Sequence, residues 1–509
     1  MDYPIWDVAM GGGVLMAWVA ITHVIVSHFA IGGGLIIVVT ETLAVKRADP
    51  ELRELARRSS LVLILVSTVF GAISGVGIWV VAGLISPGAI AALIHNYVWG
   101  WAIEWVFFVL EIVAALVYYT TWDKISKGAH LMVGWLYFIG AYFSLVVING
   151  IITFMLTPAG WLESHAFWDG FFNPTYWPSL VLRTGICILM AVAFMLWPAF
   201  KASADRRSDL VRYLGWWFLG GAALSYAGYR WWEAALPDTV KALFLGEAPT
   251  LAGLAATRSF TLWSLALGLA VTVLALLLAP KLARGLTAIV LMVGAFGFFG
   301  GYERLREGTR KPFLIHSHLF SNGLLVSQID EINNKGIVAH SGWVAAGDPS
   351  PEALGGRIFA AQCSSCHTLD GYQSIREVLP TLADMELVAA DDPPGSGAVH
   401  YRAQCSACHG EIEYEEMVEM LPTLEEIQED PELIRELNLG MITMTVIQLK
   451  EMGAELAAFD RGTTFDMRRL DRPYMPPFVG TDEEAEALAV YLASLDSAAT
   501  GHTAGGGER

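Results

Sequence analysis

Long apolar stretches alternate with short polar connections over roughly the first three hundred residues of the chain. About twenty consecutive apolar residues suffice to cross a bilayer. Eight stretches reach that length, at roughly 12–44, 59–86, 97–121, 128–156, 178–200, 211–235, 259–280 and 284–302. The sixth is the most polar, with Arg230 and Glu233 near its end. Several exceed the length of one crossing, which implies tilt or interfacial ends. Buried helices of a large soluble core are the alternative, but soluble cores do not carry so many segments of this length. From Glu303 the pattern turns polar. The predicted fold is all-α, an eight-helix transmembrane bundle over 1–302 followed by a smaller α-helical domain. Residues 303–349 read as a linker and docking segment, 350–498 as a soluble domain, and 499–509 as a disordered Gly-rich tail.

Charge adds an orientation. Lys46, Arg47, Arg53, Arg57 and Arg58 follow the first stretch, and Lys124 and Lys127 follow the third. Lys201, Arg206, Arg207 and Arg212 follow the fifth, and Lys281 and Arg284 the seventh. The connections 87–96 and 157–177 hold no Lys or Arg. Basic loops stay in the cytoplasm, so the N-terminus is expected outside, and eight crossings return the C-terminal domain there. The start Met-Asp-Tyr-Pro-Ile-Trp-Asp lacks a basic region and a small-residue cleavage site, so the first stretch reads as a retained anchor.

The net charge is −18, with 54% hydrophobic and 16% charged residues. Residues 350–509 hold 10 basic and 29 acidic side chains, a balance of 10 − 29 = −19. The whole excess lies in the outer domain. Nucleic acid is excluded as a partner, because phosphate binding needs Lys and Arg. A soluble redox partner of this domain is expected to be basic.

Four of the five cysteines lie in two Cys-x-x-Cys-His motifs: Cys363, Cys366, His367 and Cys405, Cys408, His409. Two thiols at this spacing can form thioethers to the vinyl groups of a porphyrin, and the adjacent His then ligates the iron. A zinc knuckle or a redox dithiol is the competing reading. Two copies, both ending in His and both outside the membrane, favour two covalent haem c groups. The motifs belong to a repeat. Gln-Cys-Ser-Ser-Cys-His at 362–367 matches Gln-Cys-Ser-Ala-Cys-His at 404–409, and Leu-Pro-Thr-Leu recurs at 379–382 and 421–424. The repeat is too short for two complete cytochromes. One compact di-haem cytochrome c unit is expected, opened by a helix near Leu354–Gln362 and closed by a helix over Glu483–Leu495.

Low-spin iron takes a second axial ligand. Met475, in Tyr-Met-Pro-Pro-Phe before the closing helix, resembles the Met loop of class I cytochromes c, and its haem is left open. Met385, Met417, Met420, Met444 and His400 compete for the other iron, with an open position as the further option. Cys187 lies alone in an apolar stretch and reads as packing.

Ionisable groups inside spans are costly and mark function by default. His23 and His28 lie in the first stretch as candidate haem ligands, with Glu41 near its inner end. Glu104 and Glu111 lie seven residues apart in the third, on one helix face, as a candidate proton path. Arg183 in the fifth is a candidate partner of haem propionates or of a carboxylate. His130 reads as interfacial, and His95 and His165 as loop residues.

Over about residues 12–315 these features resemble subunit I of the cytochrome bd-type oxidase superfamily. Thr-His-Val-Ile-Val…Gly-Gly-Gly…Glu-Thr-Leu resembles the first family helix, which makes His23 the counterpart of a high-spin haem ligand. Trp-Ala-Ile-Glu…Phe-Val-Leu-Glu…Trp-Asp-Lys-Ile over 101–125 resembles the third, and aligns Glu104 and Glu111 with the family carboxylates. Asn149-Gly150, Thr157-Pro158, Asn173-Pro174 and Glu307-Gly-Thr-Arg310-Lys-Pro312-Phe match further landmarks. The resemblance implies one or more non-covalent haems, of type b or d, a second membrane subunit, and a bacterial cytoplasmic (inner) membrane location. It makes Arg310 a cofactor-binding candidate.

The departures are specific. The long quinol loop is reduced to about 235–258, and Arg183-Thr184 stands where the family's His-Thr is expected. No Met ligand appears around Arg258–Trp263, and Gly300 stands at a ligand Glu, with Glu303 one turn away as a substitute. Two functions compete on this reading. One is a terminal oxidase subunit fed through the outer c-haems and reducing oxygen or a related small oxidant. The other is an electron conduit or anchor within a larger respiratory complex.

Overall fold

The computed structural model describes residues 8–245, 252–340, 349–371, 394–401, 413–430, 432–457 and 475–499, with Trp6 and short stretches within 374–390. Cys405, Cys408, His409, Met385 and the tail from 500 onward lie outside the described residues. The fold is nearly all-α, as expected. Its one sheet among the described residues is a two-stranded antiparallel hairpin, Phe313–Ile315 with Leu319–Phe320.

Eight long helices form the membrane part: α1 (Gly12–Arg47), α2 (Pro50–Ile85), α3 (Val98–Thr120), α4 (Lys127–Leu156), α5 (Tyr176–Phe200), α6 (Ala204–Ala235), α7 (Gly253–Leu278) and α8 (Gly285–Arg310). Seven of them are long and apolar enough to cross a membrane. The exception is α6, whose ends are charged. Asp205, Arg206, Arg207, Asp209 and Arg212 load one end, Arg230 and Glu233 the other, and only 213–229 is free of charge. Yet α6 lies antiparallel against α5. A Cβ at Gly228 would meet Leu182, one at Gly185 would meet Ser225, and one at Gly221 would meet Ile188. Small residues let the two backbones touch, as is common between membrane helices.

Two helices are longer than the apolar pattern suggests. Helix α2 starts at Pro50, because Asp49 accepts from Glu51 N (3.0 Å) and Leu52 N (3.1 Å) and caps it. It passes through a π-helical turn at Leu65–Gly71. Helix α8 continues past Tyr302 to Arg310, because its polar last turns are paired among themselves at helical spacing. The linker expected from Glu303 therefore begins within a helix.

Burial is uneven. Helix α5 is the packed centre, its most apolar window 83% buried, against 17% for α2 and α3. The outer rows of α2 and α3, with Phe70, Ile73, Val76, Trp99 and Val106, are exposed apolar surface suited to lipid or a membrane partner.

In the outer domain, α9 (Pro351–Gln362) and α11 (Asp482–Ala499) fall where the opening and closing helices were expected. Between them runs a long helix, α10 (Glu432–Ala457). Gly355 lets α9 and α11 cross in contact: a Cβ there would lie 2.0 Å from Ala487 O.

Candidate functional site

Three groups of functional side chains can be built from these elements. The first is His23, on the outer half of α1 against α2. Its Nδ1 lies 3.2 Å from Ser74 Oγ. Ser74 already donates its hydrogen to Phe70 O (2.5 Å), so it accepts from Nδ1–H. Ser27 likewise gives its hydrogen to His23 O (2.9 Å). It also lies 3.3 Å from Nε2, so each ring nitrogen faces a serine hydroxyl. A metal-ligating imidazole is held in this way, by a hydrogen bond at the ring nitrogen away from the metal. Gly75 of α2 faces the ring, with a Cβ there only 3.1 Å from His23 Cε1. His23 thus fits the haem-ligand role.

The second group lies where α1, α5 and α8 meet. His28 is buried and donates from Nδ1 to Val24 O (2.7 Å). Its Nε2 faces Arg183 Nη1 at 3.5 Å, and its ring packs on Phe299. Arg183 Nη2 bonds Glu303 Oε1 (2.6 Å), and Arg306 Nε bonds Glu303 Oε2 (3.0 Å). Arg306 and Arg310 both pair with Glu307. Arg310 Nη1 also donates to Phe313 O and Leu314 O, both at 2.8 Å. The result is a buried ladder of alternating charge from His28 to the outer hairpin. Packing around it is close, since a Cβ at Gly32 would lie 1.9 Å from Cys187 O. At His28 a guanidinium lies beside Nε2 and the helix seam is closely packed. Glu303 is committed to two arginines and does not stand in for a ligand at Gly300. Arg183 is placed with a carboxylate, the other of its two expected partners.

The third group runs along the α3/α4 seam. Ser144 Oγ donates to Glu104 Oε1 (2.8 Å), and Tyr137 OH approaches Glu111 Oε1 (3.4 Å). One heptad further, Tyr118 packs on His130 with ring centroids 4.4 Å apart. Residues 104, 111 and 118 of α3 thus meet 144, 137 and 130 of the antiparallel α4. Each seven-residue step rises roughly 10 Å. At the last layer Tyr118 OH donates to Glu41 Oε2 (2.6 Å), and His130 Nδ1 lies 2.8 Å from Glu41 Oε1. His130 Nε2 faces Tyr118 O at 2.9 Å, a carbonyl that can only accept. One proton must therefore be shared between His130 and Glu41. His130 is buried, not interfacial as its position suggested. Sequence reasoning missed this layer, although the heptad spacing 104/111/118 against 144/137/130 was its signal.

In the outer domain the first Cys-x-x-Cys-His motif forms a tight turn at the end of α9. Cys366 N and His367 N both donate to Cys363 O, at 3.0 and 2.9 Å. Neither Cys363 nor Cys366 is in a disulfide. Burial pushes the Cys363 thiol up to about 12, with the neighbouring Cys366 adding to it. A redox dithiol would need a depressed thiol, so the pair fits thioether attachment better, with His367 as the adjoining ligand. Met475 lies in the described loop before α11. Of its competitors, Met417 is buried in a small apolar cluster, while Met420 (56%) and Met444 (59%) are exposed. His400 ends a short helix, Ser396–His400.

With this geometry in hand, the comparisons with known proteins can be read. A family model described as cytochrome bd terminal oxidase subunit I matches residues 14–212. A second, described as cytochrome c oxidase, cbb3-type, subunit III, matches residues 392–492. The N-terminal part is thus similar to cytochrome bd oxidase subunit I, and the C-terminal part to a cbb3-type cytochrome c domain. Among solved structures it resembles the bd oxidase from Geobacillus thermodenitrificans, with a TM-score of 0.51 at 15% identity. That match covers 61% of this chain and 88% of the other, and at this identity it speaks for the fold alone. No curated protein matches the chain significantly. This bd-like chain is a multi-pass membrane haemoprotein of respiratory electron transport.

Proposed function

We propose that the chain is a terminal oxidase subunit that takes electrons through two outer c-type haems to a membrane haem held by His23, and there reduces oxygen or a related small oxidant. The observation that carries this reading is the placement of His23, whose ring is held by Ser74 and Ser27 hydroxyls against Gly75 of α2. Bound haem supplies one-electron transfer in the outer domain and, with an open iron position, reduction of the oxidant in the membrane. Cys363 and Cys366 anchor one such group and Cys405 and Cys408 the other, over His367 and His409. A basic periplasmic carrier such as a cytochrome c suits the acidic outer domain.

Reducing oxygen to water consumes one proton for every electron. The seam from Glu41 and His130 past Tyr118 and Glu111 to Glu104 is the route by which this chain delivers them. Hydroxyls of Ser144 and Tyr118 orient Glu104 and Glu41, Tyr137 OH, bonded to Ala30 O (3.1 Å), lies beside Glu111, and the shared proton at His130 and Glu41 sits at the inner end. Glu104→Gln or Glu111→Gln should lower turnover by roughly 10²-fold or more while outer haems reduce at the parent rate. Stopped-flow reduction beside steady-state oxygen uptake checks this, and unchanged uptake in both variants removes the relay.

The chain sits in the bacterial cytoplasmic membrane with both termini outside on this reading. The antiparallel contact of α6 along α5 supports α6 as a crossing despite its charged ends. A reporter fused after Lys127 is expected to read cytoplasmic, and one fused after Gly347 periplasmic. Two fusions on one side would mean that α6 does not cross.

The electron-conduit reading keeps one observation in its favour. The low-spin haem position of the resemblance is filled by the Arg183–Glu303–Arg306 ladder.

A further inference from the structure

Both haem-attachment motifs follow an Ala-Gln and precede Met475, so the repeat does not tell which of them Met475 serves. Sequence continuity favours the second, because the cbb3-type match spans 392–492 and so groups Met475 with Cys405 and Cys408. Packing favours the first. Gln362, the last residue of α9 and the neighbour of Cys363, is buried and clamps the backbone after Met475 from both sides. Its Nε2 donates to Val479 O (2.6 Å), and its Oε1 accepts from Val479 N (3.0 Å). A side-chain amide that satisfies both polar groups of one residue fixes that residue's position and orientation.

The rest of the loop is held in the same place. Phe478 N donates to Leu449 O (3.2 Å) of α10, and Gly480 N donates to Asn333 Oδ1 (3.0 Å). Helix α11 then crosses α9 at Gly355, with Phe359 and Tyr491 ring centroids 5.8 Å apart. Arg376, downstream of the first motif, bonds Leu495 O at the far end of α11. The first motif is therefore enclosed by α9, the 475–480 loop and α11, and the second motif lies in the chain between them.

We propose that Met475 is the axial ligand of the haem on Cys363 and Cys366, opposite His367, and that the second motif is an insertion into that single cytochrome fold. This rests on both motifs attaching haem. It also fixes which haem faces the membrane part. Asn322 Nδ2 donates to Gln362 O (3.3 Å). Glu484 of α11 accepts from Ile337 N (2.9 Å) and Val338 N (3.1 Å) of the docking segment. The Met-ligated haem is then the one that passes electrons inward, and the second haem lies upstream of it.

The repeat supplies a matched pair of variants. The readout is the Met-to-iron charge-transfer band of the oxidised full-length protein. A pyridine haemochrome count on the same samples reports attachment separately from ligation. Met475→His should abolish the band with the covalent haem count unchanged. Gln362→Ala should weaken ligation on the order of ten-fold, as loss of a residue supporting a ligand does, and the band should fall with it. Gln404→Ala, the equivalent change beside Cys405, should leave the band as in the parent. If Gln362→Ala does not fold, Cys405→Ala with Cys408→Ala decides, because the single remaining haem should keep the band. Loss of the band in Gln404→Ala but not in Gln362→Ala overturns the assignment, as does a single-haem Cys405→Ala/Cys408→Ala chain without it.

Discussion

Replacing Cys363 and Cys366 with Ala is expected to cut the covalent haem to about half of the parent value and to bring turnover close to zero. The first half of this expectation follows from attachment, since each motif holds one haem by two thioethers. The second follows from position. The turn Cys363–His367 caps α9, and α9 meets the docking segment through the Asn322 contact to Gln362 O. Electrons arriving at the second haem then have no group between them and the membrane part. Pyridine haemochrome spectra and oxygen uptake on the purified protein report the two effects independently. Full covalent haem in the variant would refute the attachment assignment.

Removing one carboxylate from the membrane ladder should have the largest effect on stability. Glu303 lies between Arg183 and Arg306, whose side chains are 2% and 8% exposed. Glu303→Ala leaves Arg183 buried without its anion and 3.5 Å from His28 Nε2. Breaking a buried pair this way costs about 3–5 kcal/mol. The double change Arg183→Met with Glu303→Leu should recover most of that loss, because an apolar pair carries no desolvation penalty while Arg306 keeps Glu307. Thermal unfolding in detergent, followed by helix signal, compares the three chains. Equal midpoints for Glu303→Ala and the parent would mean that the ladder is solvated.

The membrane helices were legible in the sequence because a bilayer demands continuous apolar runs, and the runs are there. What the pattern misjudged are the places where polar groups are satisfied inside the bundle. Helix α8 was cut short at Tyr302, although Glu303, Arg306, Glu307 and Arg310 carry the three- and four-residue spacing of a self-paired helix. His130 looked interfacial because its partner, Glu41, is 89 residues away in the chain. Helix α6 was the most polar of the expected spans, and its glycines show why it sits where it does, in backbone contact with α5. The turn at the first Cys-x-x-Cys-His motif, closing α9, was legible from the motif and the expected opening helix. The enclosure of the first motif by the 475–480 loop was not, because a near-identical local repeat hides the distinction that long-range packing makes.

The oxidase reading stands or falls on an open iron in the membrane part. The most direct measurement is a CO-difference spectrum of the purified complex, taken with a pyridine haemochrome count on the parent and on His23→Ala. The account predicts CO-reactive haem in the parent. It also predicts the loss of that signal and of one non-covalent haem in His23→Ala, with both covalent haems retained. An intact complex without CO-reactive iron, or a His23→Ala chain with its haem count unchanged, would contradict it and leave the membrane domain as an electron conduit.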